Sequence, residues 1–348
     1  MTPGTDPPRE RSESRRLAPF RPFPFLGRPH LQTILASQLH LPFGPPSRVE
    51  HVVVPGGDRV ALEVSTPDGW RPDGPTALLV HGLCGSSRSP YLVRLARRLH
   101  RRGIRSVRMN LRGCGPGRGL AREPYHSGRS EDLHAVLTHL LAGAPGSGIA
   151  VAGFSLGGNI ALKLAGELAS EATASIACVV AVCPPVDLLA SSRKLARSEN
   201  RLYESLFVRD LRRDVLHRQR CFGDPAPALG RRMSLREFDD AYTAPRCGFA
   251  DALDYYARAS SAPLLPRIAV PTRILIAEDD PLIDAATLRD MPLPPHVHVE
   301  WSPHGGHLGF LGRPGGPGGF RWMDSLVLEW ILGVNCRWVP PPTPPRRH

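Results

Sequence analysis

The chain has 348 residues, enough for one large α/β domain with an insertion or for two small domains. It is 41% hydrophobic and 22% charged, an ordinary globular balance, with a net charge of +12. Only Lys163 and Lys194 are lysines among its 44 basic residues. The arginines are scattered and no aromatic-interleaved basic stripe exists, so a nucleic-acid partner is not expected; a weak attraction to anionic lipid headgroups is left open. No apolar run approaches the roughly 20 residues of a membrane span. Met1–Leu17 is polar and lacks the apolar core of a signal peptide. Seven irregularly spaced cysteines without a C-x-x-C pair argue against a disulfide framework or zinc site and for a reducing cytoplasm.

In chain order, residues 1–18 read as a disordered tail. Val52-Val53-Val54 and Val60 to Val64 form a hairpin around Gly56-Gly57-Asp58. Thr76 to Val80 reads as a buried strand, and Tyr91 to Arg102 as an amphipathic helix with Leu92, Leu95 and Leu99 on one face. A strand at Ile104 to Met109 and a helix at Glu131 to Leu141 follow, then a strand from Ile149 and another at Ile176 to Val182. From Val186 to about Pro266 the alternation stops, and the segment predicts several helices without strands, a helical cap at about 186–266. Strands resume at Thr272 to Ala277 and Val297 to Trp301, and Trp322 to Leu332 is the last helix. Residues 339–348 read as a second disordered tail, leaving one domain at 19–338. Strands alternating with helices predict an α/β fold with a mostly parallel sheet covered on both faces.

The chemistry-bearing motif is Gly153-Phe154-Ser155-Leu156-Gly157, between the Ile149 strand and the helical run Asn159 to Ala165. A strand, a sharp turn and a helix with serine at the apex make a nucleophile elbow. The turn leaves no room for a Cβ two residues either side of the serine. A serine hydroxyl needs a base, and the base an orienting acid, in the chain order Ser, Asp or Glu, His. Glu278, Asp279 and Asp280 follow the Ala277 strand and compete for the acid; the turn spacing from Ala277 selects Asp280. The base is His307, in the loop Ser302-Pro303-His304-Gly305-Gly306-His307; His304 packs or holds that loop. His304 and His307 have a metal-like spacing but no third ligand, so no metal and no cofactor are expected. The oxyanion donors are the backbone N–H groups of Leu156 and of Leu83, in His81-Gly82-Leu83-Cys84-Gly85. His81 holds that loop and Cys84 packs. Arg112 reads as a structural ion pair in preference to a contact with an acidic substrate, Tyr125-His126-Ser127-Gly128 as loop packing or pocket lining, Asn159 as a local hydrogen-bonder, and Tyr255-Tyr256 as packing in preference to lining an acyl pocket.

Further motifs extend the pattern: Pro29-His30-Leu31-Gln32-Thr33, Asn110-Leu111-Arg112-Gly113, Glu237-Phe238-Asp239-Asp240, Tyr242-Thr243-Ala244-Pro245 and His304 to Phe310. Together they resemble the YheT-like branch, or subfamily 4, of the α/β-hydrolases, over about residues 20–335. Bacterial members of that branch are classed as esterases, animal relatives as membrane-anchored lipid hydrolases, and yeast relatives make and cleave ethyl esters. The resemblance implies an α/β-hydrolase fold and a Ser155, Asp280, His307 triad. This sequence carries Cys84 where the family commonly has glycine, and no counterpart of the animal membrane anchor. The expected function is hydrolysis of a carboxylic ester, a small molecule or lipid, through an acyl-serine. Alcohol acyl transfer by the same intermediate and a non-catalytic binding role are the alternatives.

Overall fold

The computed structural model describes residues 17–39, 44–224, 229–230 and 232–333. The expected tails lie outside these, apart from Leu17 and Ala18, which are tied to the last helix. Leu17 N–H donates to Glu329 at 3.3 Å, and the Ala18 carbonyl accepts from Trp322 Nε1 at 3.0 Å.

Eight strands form one sheet: β1 (Arg48–Val53), β2 (Arg59–Ser65), β3 (Thr76–Val80), β4 (Arg105–Met109), β5 (Ile149–Phe154), β6 (Ile176–Val182), β7 (Thr272–Ala277) and β8 (Val297–Ser302). Their order is β1-β2-β4-β3-β5-β6-β7-β8. β1 and β2 make the expected hairpin, β2 runs antiparallel to β4, and every later pairing is parallel. The parallel strands β3, β5 and β6 are buried throughout, which is why they read as unbroken apolar runs. Side chains alternate between two cores. Leu78 and Val80 face α3 (Ser130–Gly143) and α4 (Leu156–Leu168), while Ala77 and Leu79 face α2 (Pro90–His100) and α10 (Trp322–Leu332). On the second side Arg94 of α2 clamps Asp324 of α10 with two hydrogen bonds, 2.6 and 3.1 Å, both side chains buried.

The described residues between β6 and β7 hold helices and no strand: α5 (Leu188–Leu195), α6 (Arg201–Phe222), α7 (Leu235–Phe238), α8 (Ala244–Arg246) and α9 (Ala252–Ala259), with a π-helical turn at Asp239–Thr243. α1 (Pro29–Gln38) precedes the sheet. No described helix is long and apolar enough to cross a membrane. Cys84, Cys114, Cys183, Cys221 and Cys247 are free, but Cys178 is disulfide-bonded. An odd count with irregular spacing argues against a framework, not against a single bridge.

Register aims the sheet at one edge. Val80 pairs with Gly153, Phe154 with Val182, and Ala277 with Ser302. The loops after β3, β5, β6, β7 and β8 therefore leave side by side at the carboxyl ends of the strands, where open α/β sheets bind ligands.

Candidate active site

Ser155 sits between β5 and α4 with φ 52° and ψ −124°, a backbone conformation that strains a residue with a side chain. Close approach on both sides imposes the glycines. A Cβ on Gly153 would stand 2.2 Å from the Gly157 carbonyl oxygen, and one on Gly157 2.5 Å from that of Val80. Ser155 N–H donates to the Val182 carbonyl at 2.8 Å, tying the apex to β6. Ser155 is the N-cap of α4, so the positive end of that helix points at the hydroxyl.

His307 Nε2 lies 2.9 Å from Ser155 Oγ, and its Nδ1 lies 2.8 Å from Asp280 Oδ2. Asp280 is buried, and its second oxygen accepts the N–H groups of Leu282 and Ile283 at 2.8 and 3.1 Å. The three competing carboxylates thus have three separate fates. Asp280 meets the imidazole. Asp279 accepts Gly306 N–H at 2.9 Å and lies 3.5 Å from His304 Nδ1, bracing the loop that carries His307. Glu278 pairs with Arg289 at the surface.

The loop after β3 is pinned on both sides of Leu83. Gly82 N–H donates to Tyr91 Oη and Cys84 N–H to Tyr125 Oη, each at 3.0 Å. No acceptor among the described residues takes the N–H of Leu83 or Leu156. Leu83, Leu156, Ser155 and His307 all line one cavity. His81 is buried and holds the loop, as expected: Leu111 N–H donates to Nε2 at 3.1 Å, so Nδ1–H donates to the Gly82 carbonyl at 2.8 Å. Burial lowers its pKa to about 4 from an ordinary 6.5. Between those values the unfolded chain binds a proton that the folded protein refuses, so stability is lost as pH falls through that window. The loss attributable to His81 is on the order of 3 kcal/mol. Burial pushes His126 down as well, adding in the same direction. Asp239, pushed up to about 7 by burial, acts in the opposite direction over the same window, so the reading is a difference: between pH 6.5 and 4 the melting temperature of His81→Asn should fall less, or rise more, than that of the wild type, and equal slopes would contradict this assignment.

Cys84 has φ 56°, which explains why glycine suits that position. Its thiol points toward the Phe207 carbonyl, 3.9 Å away, and burial pushes it up to about 12, so it is no thiolate nucleophile. Arg112 is fully buried and makes two 2.7 Å bonds to Asp132, with Asp58 and Glu123 beside it. It is the structural ion pair that its sequence context predicts.

Two expectations need correction. Asn159 does not bond locally. Its amide donates to the carbonyls of Ser127 and Ala259, both at 2.9 Å, and its oxygen accepts Ser261 N–H at 3.0 Å, joining segments 32 to 102 residues away. A buried amide has to satisfy both ends, and here only distant backbone is within reach. Tyr255 and Tyr256 do pack together, but both also line the cavity. Sequence reasoning also missed α1 as a support. Thr33 Oγ1 accepts His307 N–H at 2.9 Å, and Gln32 binds Leu311 by both its ends.

Cys183, Asp280 and His307 present ligand atoms within 4.8 Å of one another. Burial raises the Cys183 thiol well above its ordinary value, which disfavours the thiolate a metal would require. The imidazole and carboxylate are already bonded to each other. This donor set does not fit a metal.

A family model described as alpha/beta hydrolase fold matches residues 75–314. The chain belongs to the α/β-hydrolase family. Within that family it is 31% identical over 331 residues to the esterase candidate YheT of Escherichia coli (strain K12), covering 92% of this chain and 94% of that one. It is 28% identical over 293 residues to the medium-chain fatty acid ethyl ester synthase/esterase 2 of Saccharomyces cerevisiae, covering 74% and 62% of the two chains. An esterase of Pyrococcus furiosus matches this α/β-hydrolase with a TM-score of 0.55 at 14% identity, over 92% of this chain and 96% of that one. That last likeness bears on the fold alone. The fold and the esterase and lipase names of its relatives support a hydrolase.

Proposed function

We propose that the protein is a serine esterase that cleaves carboxylic esters through an acyl-Ser155 intermediate. One observation carries this reading: the unbroken hydrogen-bonded chain from Ser155 through His307 to Asp280, opening into an apolar cavity. His307 Nε2 takes the Ser155 proton as Oγ attacks the ester carbonyl. Asp280 holds Nδ1–H and stabilises the imidazolium. The amides of Leu83 and Leu156 receive the oxyanion. His307 then protonates the leaving alcohol, water attacks the acyl-serine with His307 again as base, and Ser155 is restored. No step calls for a cofactor.

Leu156, Leu188, Leu195, Phe207, Leu211 and Leu282 are among the walls of the cavity. That apolar lining suits a short, medium or lipid-like acyl chain. The helical segment 186–266 supplies much of the lining and acts in this reading as a cap. The cytoplasm is the proposed compartment; five free thiols fit it, the bridge at Cys178 counts against it, and fractionation decides.

A relative named both ester synthase and esterase favours a second use of the same intermediate, transfer to an alcohol. Hydrolysis of p-nitrophenyl esters of graded acyl length, with and without ethanol, tests both. Release of free acid that persists in ethanol is expected. Acyl transfer to ethanol with no hydrolysis would replace the first reading by the second, and neither product would sink both.

A further inference from the structure

The cavity is not apolar throughout. On the side formed by segment 186–266 it is lined by Asp239, Thr243, Tyr256 and Ser192. Asp239 opens the π-helical turn, a local irregularity that recurs at functional sites. It is only 6% exposed. Tyr256 Oη donates to its Oδ2 at 2.8 Å, and Thr243, one turn further on, lines the same side of the cavity. Ser192 Oγ lies 3.4 Å from Tyr256 Oη. Among the described residues no arginine, lysine or histidine forms an ion pair with Asp239, in contrast to Asp132 and Asp324, which each hold a buried arginine.

A buried carboxyl without a cation is costly, by several kcal/mol when ionised. Packing of the cap would be served as well by leucine. Burial pushes Asp239 up to about 7, so at neutral pH the group both donates and accepts. Its neighbours are hydroxyls, which also do both. The guest that matches is another hydroxyl. An ammonium offers no acceptor to Ser192 or Thr243, and a carboxylate would be repelled by the ionised form.

We propose that Asp239, Thr243, Tyr256 and Ser192 form a polar subsite that receives a hydroxyl on the substrate remote from the scissile carbonyl. The protein then selects hydroxylated esters over plain alkyl esters of equal length. This rests on the Ser155 esterase reading, since the subsite is defined by the cavity shared with Ser155. The hydroxyl belongs either to the acyl chain or to the alcohol, and two matched pairs of esters separate these: terminal hydroxyacyl against acyl, and hydroxyalkyl against alkyl alcohol.

The measurement is kcat/KM for all four esters with the wild-type protein, Asp239→Asn and Asp239→Leu. In one pair the wild type is expected to favour the hydroxylated member at least about tenfold, mostly through KM. That ratio should fall close to one in Asp239→Leu and part-way in the isosteric Asp239→Asn. A purely structural Asp239 would change stability and leave the ratio alone. Calorimetric binding of the same esters to Ser155→Ala, and to that variant with Asp239→Asn, reads the same preference without turnover. Failure of the esterase reading is thereby distinguished from failure of the subsite. A wild-type ratio near one in both pairs, a preference for an amine-bearing analogue over the hydroxyl, or a ratio unchanged by either Asp239 substitution would overturn the proposal.

Discussion

Ser155→Ala is expected to lower kcat for a short ester by roughly a millionfold while leaving KM and the folded structure nearly unchanged. The expectation follows from the roles assigned around the elbow. Oγ is the only atom that forms the acyl bond, and His307 and Asp280 have no task once it is gone. The small β-carbon of alanine fits the same turn, so the strain at φ 52° is not increased. The leftover rate would come from the Leu83 and Leu156 amides and from binding alone, and rates in the variant should no longer depend on His307. Steady-state kinetics with a melting curve on the same preparation check both halves. A drop of less than about a thousandfold in a folded variant would mean that another group carries the attack.

The second large effect separates three neighbouring carboxylates. Asp280→Asn is expected to lower kcat about ten-thousandfold, because an amide at that position favours the wrong imidazole tautomer. Asp279→Asn should cost less than about tenfold, the scale of one supporting hydrogen bond to Gly306 N–H. Glu278→Gln should be nearly silent, since its partner Arg289 is a solvent-exposed cation. The graded order is the test. Equal losses in the Asp279 and Asp280 variants would undo the assignment of the acid.

Much of this was legible in the sequence because its signals are local. β3 and β7 begin and end where their apolar runs do, since burial on both faces leaves a continuous apolar mark, while β8, a partly exposed strand at the edge of the sheet, runs one residue further than its alternating pattern suggests. The elbow, the turn after Ala277 and the glycine-rich His307 loop each advertise themselves within a few residues, so Ser155, Asp280 and His307 could be named before their 2.8 and 2.9 Å contacts were measured. What stayed hidden depends on partners far along the chain. Nothing near Asn159 announces that its amide will join Ser127 to Ala259. Thr33 lies 274 residues from the His307 amide it accepts. Asp239 could be seen as part of a motif, but its burial beside Tyr256 in the wall of the Ser155 cavity is a tertiary fact with no periodic trace. Tyr91 and Tyr125 both follow the His81 loop in sequence and carry no local signal of their role. Only the fold reveals that they take the amides on either side of Leu83.

The central claim is that the Ser155 hydroxyl is the activated nucleophile. A fluorophosphonate probe reacts with such a hydroxyl and forms a stable adduct. Digestion and mass spectrometry of the labelled protein should find one adduct, on Ser155, absent from Ser155→Ala and strongly reduced in His307→Ala. An unlabelled wild-type protein, or an adduct on another residue such as Ser127, would contradict the account.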